Sequence, residues 1–320
     1  MEGGSKPAHG ARALIEGEKT AFDKRAKDRL AHGFVPDLRR LRRVPWFYNN
    51  VWRDPKFVDI HWMPKLRFVI DLARERGGRV LELGCGYGLL SLEMARYGLD
   101  VVGLDLSPEN IAIAERFKDQ NPYRESFGSL QYVCADVADI EWDRECFDSV
   151  VFFRSLHHLP DLAGVLAKAR SWLKPGGYLL LSEPVRRHFT RESARMAAIL
   201  RLVLPTWEKF ETKLDRTWTA SEWESAVDKI FREYTLEDDH AQSPMDKSTD
   251  DAQTIIAQVG ALFAIREKRF SDAFIDKLIG GLRGKNRYAL ARFLKFLDDH
   301  LVQTGTLPPT SLELHAVKAT

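Results

Sequence analysis

Cysteine is scarce, with three in 320 residues: Cys85, Cys134 and Cys146. That is too few, and too unevenly spaced, for a disulfide framework or a cysteine-rich metal site, and it fits a reducing cytoplasm. Charge of one sign is lacking too. The 48 Lys and Arg nearly cancel 46 Asp and Glu, for a formal net charge of +2. A chain so balanced has no global field to gather it onto a polyanion, so nucleic acid is not an expected partner. Long apolar runs are missing: the longest, such as 150–153 and 178–181, fall far short of the roughly 20 residues a membrane helix needs. No apolar stretch follows a basic start, so no secretory leader is expected. No His, Cys or acidic cluster has metal-ligand spacing, and no metal is expected. What is present is ample core material, 44% hydrophobic residues of which aromatics make up 11% of the chain, which argues against extended disorder.

Residues 1–64 read as an N-terminal arm and aromatic cap segment. The arm is polar, with a helix expected over 18–30 that has few apolar positions and so docks loosely. Arg39, Arg40, Arg42 and Arg43 form a basic cluster that suits either the wet face of a helix or a phosphate contact. Trp46, Phe47, Tyr48 and Trp52 crowd aromatics into a segment that must pack onto something. From residue 65 the pattern alternates. Short apolar runs at 80–83, 101–104, 130–133, 150–153 and 178–181 are separated by helical spacing at 89–97, 108–117 and 162–173. Such alternation predicts an α/β domain, doubly wound about a parallel sheet covered on both faces, over residues 65–189. Residues 190–305 are mainly helical, with one strand possible near 262–267, and the alternating stretch within 306–320 suits a strand returning to the sheet edge.

The chemistry concentrates at strand ends. The first strand runs into Gly84, Gly86 and Gly88 and then a helix. Glycine lets the backbone turn sharply and lets a ligand lie against the main chain, facing the helix N-terminus. Asp105 ends the second strand and Asp136 follows the third, where open α/β sheets bind ligands. A carboxylate at the first position can accept both hydroxyls of a ribose; one at the second can meet an exocyclic amine such as that of adenine. Ser107 and Pro108 suit the cap and first position of the next helix. The glycine spacing is G-x-G-x-G, not the G-x-G-x-x-G of a dinucleotide fold.

With Phe147-Asp148-Ser149-Val150-Val151, Leu156-His157-His158-Leu159 and Leu173-Lys174-Pro175-Gly176-Gly177-Tyr178 added, the run from about 65 to 184 resembles the class I S-adenosylmethionine-dependent methyltransferases, small-molecule enzymes such as the quinone methyltransferases in particular. The resemblance implies a mostly parallel seven-stranded sheet with a helical insertion before an antiparallel last strand, and S-adenosyl-L-methionine as cofactor. It places Gly84, Gly86 and Gly88 at the methionine part, Asp105 at the ribose, Asp136 at the adenine, and Leu106 and Val137 beside the adenine ring. Glu82, Cys85 and Arg154 complete the expected cofactor-binding set.

Methyl transfer from a sulfonium is an in-line displacement, so the protein acts mainly by alignment and exclusion of water. A base is needed only where the nucleophile carries a proton of high pKa. The candidates are His157 and His158 after the fourth strand and Glu183 after the fifth; alternatively, one histidine merely hydrogen-bonds the strand end. The 190–305 insertion supplies an acceptor pocket or lid, where Trp207, Phe210, Trp218 and Trp223 line an apolar pocket or are simply core. The expected function is methyl transfer to a small molecule, at oxygen, on a lipid, quinone, polyketide or sugar-containing metabolite. The alternatives are a catalytically silent cofactor-binding scaffold or regulatory subunit, then an RNA or protein methyltransferase. Oligomeric state is not legible.

Overall fold

The computed structural model describes residues 9–45, 49–207, 217–236, 243–247 and 251–319. Trp46, Phe47, Tyr48 and Phe210 lie outside the described residues.

After helix α1 (His9–Ala31), α2 (Pro55–His61) and α3 (Met63–Arg76), strand and helix alternate as β1 (Arg79–Leu83), α4 (Leu89–Arg96), β2 (Asp100–Asp105), α5 (Pro108–Asp119), β3 (Ser129–Cys134), β4 (Phe147–Phe153), α6 (Leu162–Trp172) and β5 (Leu173–Pro184). Helices α7 (Arg191–Val203), α8 (Ala220–Thr235) and α9 (Ala252–Leu262) lead to β6 (Ala264–Ser271), α10 (Arg287–Gln303) and β7 (Ser311–Val317). The strands form one seven-stranded sheet in the order β3-β2-β1-β4-β5-β7-β6. The first five are parallel, while β7 runs antiparallel to both β5 and β6. This is a doubly wound, mostly parallel α/β sheet.

Local chemistry sets the boundaries. Ser107 caps α5 by accepting the Asn110 N–H, and Pro108 stands at its first turn. Asp161 caps α6 through the Gly164 N–H. The central strands bury Leu81, Leu83, Val150, Phe152, Leu179 and Leu181 on one face and Val80, Val101, Val151 and Leu180 on the other. Burial on both faces is why their sequences read as unbroken apolar runs.

Two expectations about the sheet and arm need correction. β7 does not lie at the sheet edge: it is buried between β5 and β6. The edge belongs to β6, whose Arg266, Glu267, Lys268 and Arg269 keep an open row of backbone groups from pairing with another chain. Nor is α1 loosely docked. Ala26 is buried against Leu92, Ile113 and Phe117 of α4 and α5, Asp23 pairs with the Ser107 hydroxyl, and Lys27 meets Glu109 at 3.1 Å. Its covered stripe, Ile15, Glu18, Phe22, Arg25 and Arg29, has helical spacing but is mostly polar, because it roofs an open cavity instead of packing on core.

The 39–43 arginines lie outside any helix and tie the cap down internally. Arg39 pairs with Glu93 at 2.8 Å and Arg43 with Asp54 at 2.9 Å, while Arg42 donates to the Gly33 carbonyl.

Candidate functional site

The carboxyl ends of β1, β2, β3 and β4 open into a cavity of about 270 Å³, roofed by α1. At the end of β1 the chain turns back on β2: the Gly84 and Cys85 N–H groups both donate to the Leu104 carbonyl, at 2.8 and 2.9 Å. Gly84 sits at φ +74°, and a Cβ there would meet that of Ser155 at 2.4 Å. Gly86, at φ +54°, differs: a Cβ would meet nothing within 4 Å. That open space belongs to the cavity, whose wall includes Gly86. The backbone is therefore bare where a ligand can lie against it.

Asp105 closes the next side. One carboxylate oxygen accepts the Gly86 N–H at 2.8 Å; the other accepts the Ser107 N–H at 2.9 Å and the Asn110 side-chain N–H at 3.1 Å. Burial pushes its carboxyl up, and these three donors draw it back. The Oδ1 of Asn110, itself buried in the wall, has no hydrogen-bond partner. A buried acceptor left open beside a fixed carboxylate asks for a hydroxyl donor, and a ribose diol supplies two. Further round, Asp136 accepts the Ala138 N–H at 2.8 Å through Oδ1, and Leu106, Ala135 and Val137 give an apolar slot beside it. The residues thus fit an adenosyl group.

Behind the glycine turn, Glu82 is buried and accepts from the Ser91 hydroxyl. Burial, offset by that hydrogen bond and reinforced by the Asp105 charge, pushes Glu82 up to about 8 from an ordinary 4.5. Between those values the folded protein keeps a proton that the unfolded chain gives up. The stability it contributes is therefore full below about pH 4.5 and is lost as pH rises through about 8. Glu82→Gln removes this dependence: thermal unfolding across that range shows wild type losing ground to the variant as pH rises, and parallel profiles would refute the assignment. Cys85 also lines the cavity, its thiol pushed well up by burial, so it is no nucleophile at neutral pH.

At the opposite end, Arg154 takes a left-handed backbone, φ +55°, as its N–H donates to Ser182 at 2.8 Å, and its guanidinium lies 5.0 Å from the Trp62 ring. The turn at Leu156–His158 that follows separates the two histidines. His158 lines the cavity; His157 and Glu183 do not. His157 Nδ1 is 2.7 Å from Glu183 Oε2, and Glu183 Oε1 accepts the Ser155 and Leu156 N–H groups, both at 2.9 Å. Burial first, then the neighbouring His158 ring and nearby arginines, hold His157 well below the usual histidine range. Burial pushes Glu183 up to about 7, against those N–H donors. This pair fastens the β4 loop from behind, and His158 alone among the three reaches the cavity.

Of the tryptophans expected to line a pocket, Trp207 packs on Gly281 and Arg201, and Trp218 and Trp223 meet edge to face at 6.4 Å; none borders this cavity. Its aromatic wall is Phe22, Phe34, Trp52, Trp62, Tyr87 and Phe153 among the described residues. Sequence reasoning missed Glu18, Phe22 and Asn110. The only signal for the first two was a helical spacing in which charged residues stand where apolar ones are looked for.

Residues 81–181 match the methyltransferase domain family. Over 119 residues the chain is 37% identical to a ubiquinone biosynthesis O-methyltransferase of Xanthomonas axonopodis pv. citri, covering 37% of this chain and 48% of that protein. Over 194 residues it is 34% identical to the mitochondrial ubiquinone biosynthesis O-methyltransferase of Rattus norvegicus, covering 54% and 56%. The chain thus spans about half the length of the curated relatives it matches. Among solved structures, a SAM-dependent methyltransferase from Methanosarcina mazei aligns over 78% of this chain and 97% of its own, with a TM-score of 0.46 and 17% identity.

Proposed function

We propose that this chain, which matches the methyltransferase domain family over residues 81–181, is a class I S-adenosylmethionine-dependent enzyme that moves a methyl group to an oxygen of a small-molecule acceptor. One observation carries the reading: Asp105, pinned by the Gly86 N–H, stands beside the unpartnered Oδ1 of Asn110 in a cavity whose floor is bare backbone. Asp105 and Asn110 take the ribose hydroxyls, Asp136 the adenine amine with Leu106 and Val137 on its faces, and the turn from Gly84 to Gly88 the methionine end. Glu82 and Cys85 support that turn, and Arg154 borders the reacting end. Bound there, S-adenosylmethionine supplies an electrophilic methyl on a sulfonium that departs as a neutral thioether. The chain's own contribution is alignment and a dry enclosure, with α1 as its roof.

The acceptor is a quinone-like, lipid, polyketide or sugar-containing metabolite. A quinone-type acceptor is favoured by the aromatic wall and by relatives named for ubiquinone biosynthesis and O-methyl transfer. Residues 1–64 act as cap and supply most of the aromatic wall, 65–189 act as cofactor core and 306–320 as the strand completing the sheet, while 190–305, a pocket or lid in the sequence reading, reaches this cavity through Met245 among the described residues. A reducing cytoplasmic setting is supported by the three free cysteines, and no helix among the described residues is long and apolar enough to cross a membrane.

Two glycine variants test the cofactor floor. Gly86→Ala places a methyl in the ligand's space, so S-adenosylhomocysteine affinity falls at least tenfold while the fold survives at a cost of about 1–2 kcal/mol for the positive φ. Gly84→Ala drives its Cβ into Ser155 and loses stability by about 2–4 kcal/mol, strain and overpacking together. Calorimetric binding and chemical denaturation of both check this; Gly86→Ala with wild-type affinity contradicts the ligand's placement.

A further inference from the structure

Among the described residues, the cavity holds one acidic group that cofactor binding as proposed does not use. Glu18 comes from α1, outside the matched methyltransferase segment, yet only 3% of it is exposed and it lines the cavity. Its Oε1 accepts the Met245 N–H. Its Oε2 lies 3.2 Å from Nδ1 of His158 but has no aligned hydrogen-bond donor. A buried carboxyl oxygen without a donor is costly unless a ligand brings one. The same Nδ1 is 3.3 Å from the Ser243 hydroxyl, so the ring is held from two segments that are far apart in the chain. Beside this polar point Phe22 stands edge-on to the His158 ring at 5.0 Å, and elsewhere in the lining of the same cavity Trp52 and Trp62 meet at 5.0 Å. A cavity lined by aromatic rings that also presents a carboxyl group and an imidazole matches a ring that carries a hydroxyl.

We propose that Glu18 is a catalytic residue, and that with His158 it receives a hydroxyl borne on an aromatic ring of the acceptor. The hydroxyl donates to Glu18 Oε2. Its O–H bond breaks, the proton passes to the Glu18–His158 pair and from there to water, and the electron pair stays on the oxygen. That oxygen then bonds the incoming methyl carbon as the carbon–sulfur bond breaks, its electrons remaining on sulfur. The base is thus built by the cap helix and is present only while α1 is docked. The inference rests on the cofactor site being as proposed above.

The test uses the full chain with catechol and 3,4-dihydroxybenzoate as probe acceptors. Wild type, Glu18→Gln, Glu18→Asp and His158→Asn are compared for transfer of labelled methyl from about pH 6 to 10, and for S-adenosylhomocysteine affinity by calorimetry. Glu18→Gln keeps that affinity within about twofold and loses kcat about a hundredfold at neutral pH, the lower end for a proton-transfer group, because His158 remains. The deficit shrinks in alkali, where the probe ionises unaided, and Glu18→Asp recovers part of the rate. Wild-type kcat in Glu18→Gln at neutral pH overturns the proposal, as does a deficit unchanged with pH, which marks a merely structural role. A wild-type protein that binds S-adenosylhomocysteine yet methylates neither probe overturns it while the cofactor site stands. Failure to bind S-adenosylhomocysteine removes the underlying reading instead.

Discussion

Asp105→Ala weakens S-adenosylhomocysteine binding about a thousandfold. The carboxylate offers a ribose two charge-assisted hydrogen bonds, each worth about 2 kcal/mol, and every factor of ten costs about 1.4 kcal/mol. The side chain is also what fixes the glycine turn, since its Oδ2 holds the Gly86 N–H at 2.8 Å. With alanine there, the turn loses its anchor on the cavity side, while Gly84 and Cys85 keep theirs on the Leu104 carbonyl. The fold therefore survives and the loss falls on the ligand. Asp105→Asn, which keeps one acceptor oxygen, gives an intermediate affinity. Calorimetry on the three proteins checks this order, and an unchanged dissociation constant in the alanine variant would mean that the ribose is held elsewhere.

The largest loss of stability is expected at Arg96. Its guanidinium is sealed between the cap and α4, bidentate to Asp37 at 2.7 and 2.8 Å, with Glu93 at 3.1 Å and the Asn121 side-chain oxygen at 2.8 Å. Both Arg96 and Asp37 are essentially without solvent contact. Arg96→Leu leaves the Asp37 carboxylate buried and uncompensated, which costs about 3–5 kcal/mol. Arg39→Ala, at the rim of the same network and a third exposed, costs under about 1 kcal/mol. Urea denaturation separates the two. A loss below about 1 kcal/mol for Arg96→Leu would show that water reaches the pair. Asn121 belongs to the same network: it buttresses Arg96 and anchors its own turn by accepting the Tyr123 N–H.

The parts of the fold that sequence reasoning reached are those where burial is simple. β1, β2, β4 and β5 are apolar on both faces, and the helices between them have one apolar side, so period and length identify them. β6 was marginal because its edge position demands charge, which erases a strand's hydrophobic signature. The interior place of β7 depends on β6 being there to cover it, a relation between distant segments that neither shows alone. That Asp105 and the glycine turn would border a cavity was legible because open sheets of this kind form their crevice at the carboxyl ends of the strands. Glu18 was not, because a helix that roofs a cavity instead of packing on core can bury charge and so looks like a solvated arm. The paired histidines were legible as a pair only. The tight turn at Leu156–His158 decides that one locks the loop to Glu183 and the other faces the cavity.

The central claim is that the cavity beneath α1 holds an adenosyl cofactor between the glycine turn and two carboxylates. A crystal structure of the full chain grown with S-adenosylhomocysteine tests it most directly. The account predicts ribose hydroxyls on Asp105 and Asn110, adenine between Leu106 and Val137 with its amine at Asp136, and the sulfur on the His158 side. Ligand density elsewhere, or an empty cavity at millimolar ligand, would contradict it.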